Sequence, residues 1–120
     1  MTDSARPVGF LLHPEAPLHD TGWGHPEHQG RLRALSSAVG RDLLALHDKV
    51  VQIDPGQVTH EDLLRVHTPE YLERLREAVD RAEKEGSPLR LDADTLVSAH
   101  SWGAATGSTA ALPTAARQLP

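Results

Sequence analysis

With 17 acidic residues against 12 lysines and arginines, the 120-residue chain carries a formal charge of −5, and no sustained basic tract offers a phosphate backbone a surface, so direct nucleic-acid binding is not expected. Its 38% hydrophobic and 24% charged residues fit one small core, a single domain or a piece of one, built mainly from Leu, Val and Ala because aromatics are only 3%. The absence of cysteine excludes disulfides and thiolate chemistry, and no apolar run has the length of a membrane span or the form of a secretory signal, so a cytoplasmic protein without a membrane partner is expected.

Residues 8–12 (VGFLL) are short, apolar and bounded by prolines, which predicts a buried strand. Residues 13–25 contain Pro14, Pro17, Gly22 and Gly24 and read as a long loop. Pro26 suits the first turn of a helix, where its missing amide is not needed. Leu32, Leu35, Val39, Leu43 and Leu46 then recur at steps of three or four, so this helix should turn one stripe toward a core. Residues 50–53 (VVQI) predict a second strand. The order strand, helix, strand points to an α/β class with a mostly parallel sheet.

Thr59 with Asp62 has the form of an acidic capping arrangement for a short helix. Thr68-Pro69-Glu70 marks a stronger start: a cap, a proline in the first turn, and an acid at the positive end of the dipole. That helix should run to about Lys84 and end near Gly86. Residues 87–98 carry too little apolar periodicity to predict another helix. A last helix is expected from about Ser101 to Ala111, capped by Ser98 or Ser101, with Pro113 and Pro120 leaving 112–120 as an irregular tail.

The chemistry-bearing stretch is residues 19–32, HDTGWGHPEHQGRL, which gathers three histidines, two acids and an arginine. His25 and His28 have a spacing at which two imidazoles can approach one metal, with Asp20 or Glu27 as supplements, but the pattern is not HExxH and Pro26 interrupts the helical turn it would need. Capping and loop hydrogen bonds are the competing use. His47, His60 and His100 have no partner in the sequence that would make a site. Arg31, taken alone, reads as a snorkelling surface residue. Asp94 reads as a turn acid bonding its own backbone beside Thr95.

The same stretch resembles the first active-site loop of the histone deacetylase and acetoin-utilisation superfamily, HDTG-x-GHPE-x-P-x-RL. His19, Asp20, Thr21, Gly22, Gly24, His25, Pro26, Glu27, Arg31 and Leu32 are in register, and Gln29 stands where proline is usual. Residues 66–75 resemble its VH-(S/T)-x-x-Y-(I/L)-x-x-L block, and Asp92, Asp94, Thr95, Val97, Ser98 and Ser101 its D-x-DT-x-V-S-x-x-S block. The resemblance implies the N-terminal part of a three-layer arginase/deacetylase-like domain. It also implies a zinc-dependent amidohydrolase acting on acetyl-lysine or a related acylated amine, such as a polyamine.

By the same resemblance Arg31 is an inner-channel or loop-anchoring residue, whose guanidinium can hold a carboxylate bidentately. Asp94, with Asp92 as the alternative, lies on the substrate rim. His25, Pro26 and Glu27 form the structural loop, and His67 serves a helix end. The zinc ligands and paired catalytic histidines belong to motifs absent here, so the segment is expected to supply no catalytic residue and no metal ligand, to bind no cofactor by itself, and to need the remaining part of the catalytic domain as its partner. Two other readings stay open: a noncatalytic truncated homologue serving as an interaction or regulatory module, and a small helical binding protein whose family match is accidental.

Overall fold

The structure is a computed structural model that describes residues 6–43, 45, 46 and 48–119. His47 and Pro120, both weighed above, lie outside the described residues. Strand β1, Val8–Phe10, pairs in parallel with β2, Val50–Gln52, in the register Val8 to Val50, and Ile53 N–H donates to Phe10 O to extend the ladder. Helix α1, Gly30–Asp42, is the crossover between them. The predicted parallel unit is therefore present, but its strands are shorter than the apolar runs and β1 is not buried as expected: Val8 is 66% exposed, as nothing described covers that edge.

Helix α1 starts four residues later than Pro26 suggests. The Glu27 carbonyl accepts from Thr21 Oγ1 at 2.7 Å, and Arg31 N–H turns to His28 O at 3.2 Å, so residues 25–28 are held in a turn outside the helix. The leucine stripe also departs from expectation: α1 has no buried residue, and Leu35 is 59% exposed. The chain is correspondingly extended, with a radius of gyration of 17.0 Å. A compact domain of this length has one of about 14 Å.

Helix α2, His60–Leu64, begins with the predicted capping box: Thr59 Oγ1 accepts from Asp62 N–H while the Asp62 carboxylate accepts from Thr59 N–H. Helix α3, Pro69–Glu85, is capped by Thr68 Oγ1, which accepts from Tyr71 N–H, and is closed by Gly86 at φ 69°, the left-handed conformation that glycine enters without a Cβ clash. Leu72, Val79 and Ala82 are its buried face.

Residues 87–98 form a small antiparallel hairpin, β3 Leu89–Arg90 with β4 Leu96–Val97, which their weak periodicity did not reveal. Two-residue strands are too short for alternation to register. Helix α4, Ser101–Gln118, continues through Pro113. This corrects the expected stop near Ala111 and the irregular reading of residues 112–118. Pro113 removes one backbone bond, but the following turn is tied down by Thr114 Oγ1, which donates to the Pro55 carbonyl at 2.7 Å. His100, not a serine, stands at its N-cap.

The core lies where α3, β4 and α4 meet the 3₁₀ turn Ala16–Leu18, and it is made of small side chains: Ala16, Leu72, Val79, Ala82, Val97, Ala104 and Ala110. Gly103 and Gly107, one turn apart on α4, are where that turn comes closest. A Cβ on Gly103 would collide with the Glu15 carboxylate, and one on Gly107 with the His13 ring. Among the described residues no helix is long and apolar enough to cross a membrane.

Candidate functional site

The first loop is shaped by its own side chains. Asp20 Oδ1 accepts from Gly22 N–H at 2.8 Å, closing an Asx turn that carries Gly22 to φ 82°. Buried Thr21 reaches across to Glu27 O, and Gly22 O accepts from His25 N–H. The segment HDTG-x-GHPE thus encodes a loop stapled at both ends.

His25 links this loop to the third sequence block. Its Nδ1 accepts from Glu27 N–H at 3.0 Å, so the neutral ring carries its proton on Nε2. That Nε2–H faces Asp94 Oδ1 at 3.2 Å and Asp94 O at 3.3 Å, 69 residues along the chain. The Asp94 side chain is otherwise open, 93% exposed. Its backbone is held by Asp92, whose Oδ1 accepts from Asp94 N–H at 2.9 Å. Asp92 is therefore the turn acid that Asp94 was expected to be. The Asp94 amide and then the Thr95 hydroxyl hold the Asp92 carboxyl below the usual carboxylate range.

Arg31 and His67 sit apart from that contact. Arg31 Nη1 donates to Glu27 Oε1 at 2.6 Å, and its side chain is 56% exposed. His67 stacks on Tyr71 with ring centroids 5.1 Å apart, and its backbone N–H donates to Leu63 O where α2 ends. His28 Nδ1 accepts from Gly30 N–H and its ring lies 5.3 Å from that of Trp23, so His25 and His28 serve separate bonds and do not converge. Pro26 is exposed between them.

A second seam, which the sequence did not single out, lies behind the first. His19 Nδ1 is 2.6 Å from Ser101 Oγ, and Asp20 N–H donates to Ser98 Oγ at 3.0 Å, contacts 82 and 78 residues apart in the chain. Ser98 and Ser101 are buried, and their hydroxyls lie 3.2 Å from each other. These four residues all belong to the family blocks, which was the available signal. Reading the serines as helix caps hid it. Burial pushes the His19 imidazole below its ordinary value, against the pull of the Glu27 and Asp20 carboxylates.

Among the described residues no three or more His, Asp or Glu side chains come together in a way that could hold a metal ion. The arrangement offers instead an exposed carboxylate at Asp94, a guanidinium at Arg31 with most of its donors unused by the described residues, and a doubly pinned loop.

The family model for the histone deacetylase domain matches residues 25–120. Over 107 residues, 81% of this chain and 27% of the relative, the sequence is 37% identical to histone deacetylase 8 of Arabidopsis thaliana. Over 90 residues, 75% of this chain and 24% of the relative, it is 27% identical to a probable deacetylase of Archaeoglobus fulgidus. The chain spans about a quarter of the length of these curated relatives. An accidental likeness in an unrelated helical binding protein is thereby set aside, and the chain belongs to the histone deacetylase domain family.

Proposed function

We propose that this chain is the first-loop and substrate-rim portion of a zinc-dependent deacetylase with a three-layer arginase/deacetylase-like fold, acting on acetyl-lysine or a related acylated amine. The observation that carries the reading is the convergence of sequence blocks: His25 on Asp94, and His19 with Asp20 on Ser98 and Ser101. The extended shape and the incompletely covered leucine stripe of α1, with Leu35 exposed, support a partner surface supplied by the remaining part of the catalytic domain.

In this reading Asp94 accepts a hydrogen bond from the substrate's amide N–H at the rim, with its carboxylate oriented by His25 Nε2–H. Arg31 uses one guanidinium nitrogen to stay with Glu27 and presents the rest of its fork to a carboxylate, as an inner-channel or loop anchor. The described residues do not assemble a zinc site, and in this reading the metal and the proton-transfer groups belong to the rest of the complete domain.

The test is a pair of proteins: the purified chain, and the same chain fused to the part of the Arabidopsis relative that follows its matched segment. With zinc supplied, the chain alone should turn over neither an acetyl-lysine peptide nor an acetylated polyamine, and the fusion should hydrolyse one of them. Turnover by the chain alone above a metal-free control would overturn the division of labour. A folded, inactive fusion, beside an active intact relative, would favour the interaction-module reading. Preference for the polyamine would fix the substrate class as a small acylated amine.

A further inference from the structure

The contacts between the first loop and the start of α4 have a direction. Ser101 Oγ accepts from Ser98 N–H at 2.7 Å, and Ser98 Oγ accepts from Asp20 N–H at 3.0 Å. Each hydroxyl then has one proton to place. If Ser98 O–H donates to Ser101 Oγ and Ser101 O–H donates to His19 Nδ1, both are used, and the spare donor is His19 Nε2–H on a half-exposed ring. If the order runs the other way, from His19 Nδ1–H through Ser101 to Ser98, the Ser98 hydroxyl proton has no acceptor among the described residues, although Ser98 is only 8% exposed. A stranded buried donor costs about 1–3 kcal/mol by its desolvation alone. The first order is the favoured one.

We propose that His19, Ser98 and Ser101 are the positioning residues of the first loop, acting through a one-way chain from Asp20 N–H through Ser98 and Ser101 to His19 Nδ1 that seats the loop on α4 only while His19 is neutral. That this loop serves catalysis rests on the function proposed above; the latch itself does not. When Nδ1 takes a proton from water, Ser101 must turn its own O–H toward Ser98, and Ser98, keeping its proton, must turn its O–H away from Ser101 to where no described acceptor meets it. The seam then loses its buried acceptor and the loop loosens.

The groups facing His19 bear on where this happens. Asp20 and Glu27 on the loop favour the imidazolium, His25 opposes it, and burial opposes it most. On the other elements, Tyr71 of α3 borders the same cavity, and His100 at the α4 N-cap is engaged by Glu15 at 3.7 Å.

Nitrogen-15 NMR of the labelled full chain reads the latch without any turnover assay, so its failure is separable from failure of the deacetylase reading. At neutral pH, long-range proton–nitrogen correlations should show His19 as the Nε2–H tautomer, and the Asp20 amide should be protected from exchange. Ser101→Ala should abolish the tautomer preference and speed Asp20 exchange by about tenfold, the loss expected for one buried hydrogen bond. His19→Asn, whose amide oxygen can replace Nδ1 as acceptor, should keep the protection and remove its acid sensitivity. An Nδ1–H tautomer, or acid-sensitive protection that persists in His19→Asn, would overturn the proposal.

Discussion

Arg31 and Glu27 are joined across one turn by a 2.6 Å hydrogen bond, and both side chains face solvent. An exposed pair of this kind contributes only about 0.2–0.5 kcal/mol, because solvent screens it and two long side chains must be ordered to make it. Arg31→Ala and Glu27→Gln should therefore shift the denaturation midpoint of the chain within that range. A loss above about 1.5 kcal/mol would mean that Arg31 supports the fold in a way its exposure hides.

That small structural cost makes Arg31 a clean probe in the fusion enzyme. If the two residues have the roles proposed above, Arg31→Ala should lower turnover, since removing the anchor leaves its partner unpaired, whereas Asp94→Ala should mainly raise KM by removing substrate orientation. Steady-state kinetics on both, with zinc content checked, supply the comparison. Unchanged kcat and KM in both folded variants would return the two residues to structural roles.

The glycines of α4 are expected to tolerate little. In Gly107→Ala the new methyl meets the His13 ring, so the turn carrying Ala16 must move, at a cost of about 1–3 kcal/mol for overpacking. Gly40→Ala, in α1 with open space around the added methyl, should instead stabilise by about 0.5–1 kcal/mol. Urea midpoints for the two variants should shift in opposite directions.

Acid should weaken the chain before its carboxylates titrate. The folded pKa of His19 lies below the ordinary value of 6.5, so between the two the unfolded chain binds more protons than the folded one. Stability from this site is therefore complete above 6.5 and declines as pH falls from there through the folded pKa. Melting temperature followed over this window should fall in the parent and stay flatter in His19→Asn. Coincident curves would remove His19 from the pH response.

In the middle of the chain, Thr59→Ala removes the side-chain half of the capping box, leaving the backbone N–H of residue 59 to the Asp62 carboxylate, and should cost about 1 kcal/mol. Thr59→Ser, which keeps the acceptor, should cost much less. Equal losses in the two variants would show that the methyl group, not the hydroxyl, supports α2.

Several elements were legible because their signals are local. Thr68-Pro69 starts α3 and Gly86 stops it because capping and left-handed backbone are decided within a few residues, and the apolar run at residues 50–53 marks β2 for the same reason. The order of the three blocks carried the family, and placed Asp94 and Arg31 among the residues of interest. What the chain alone could not disclose was pairing at a distance. Whether Ser98 and Ser101 cap a helix or bond His19 and Asp20 depends on contacts across some eighty residues, and local propensity favoured the cap. Pro113 likewise reads as a stop until Thr114 finds the Pro55 carbonyl, and the α1 stripe reads as core although the described chain only half-buries it and leaves Leu35 exposed. Hydrogen-bonding side chains and apolar faces declare their needs in the sequence; only the tertiary structure decides which partner, if any, meets them.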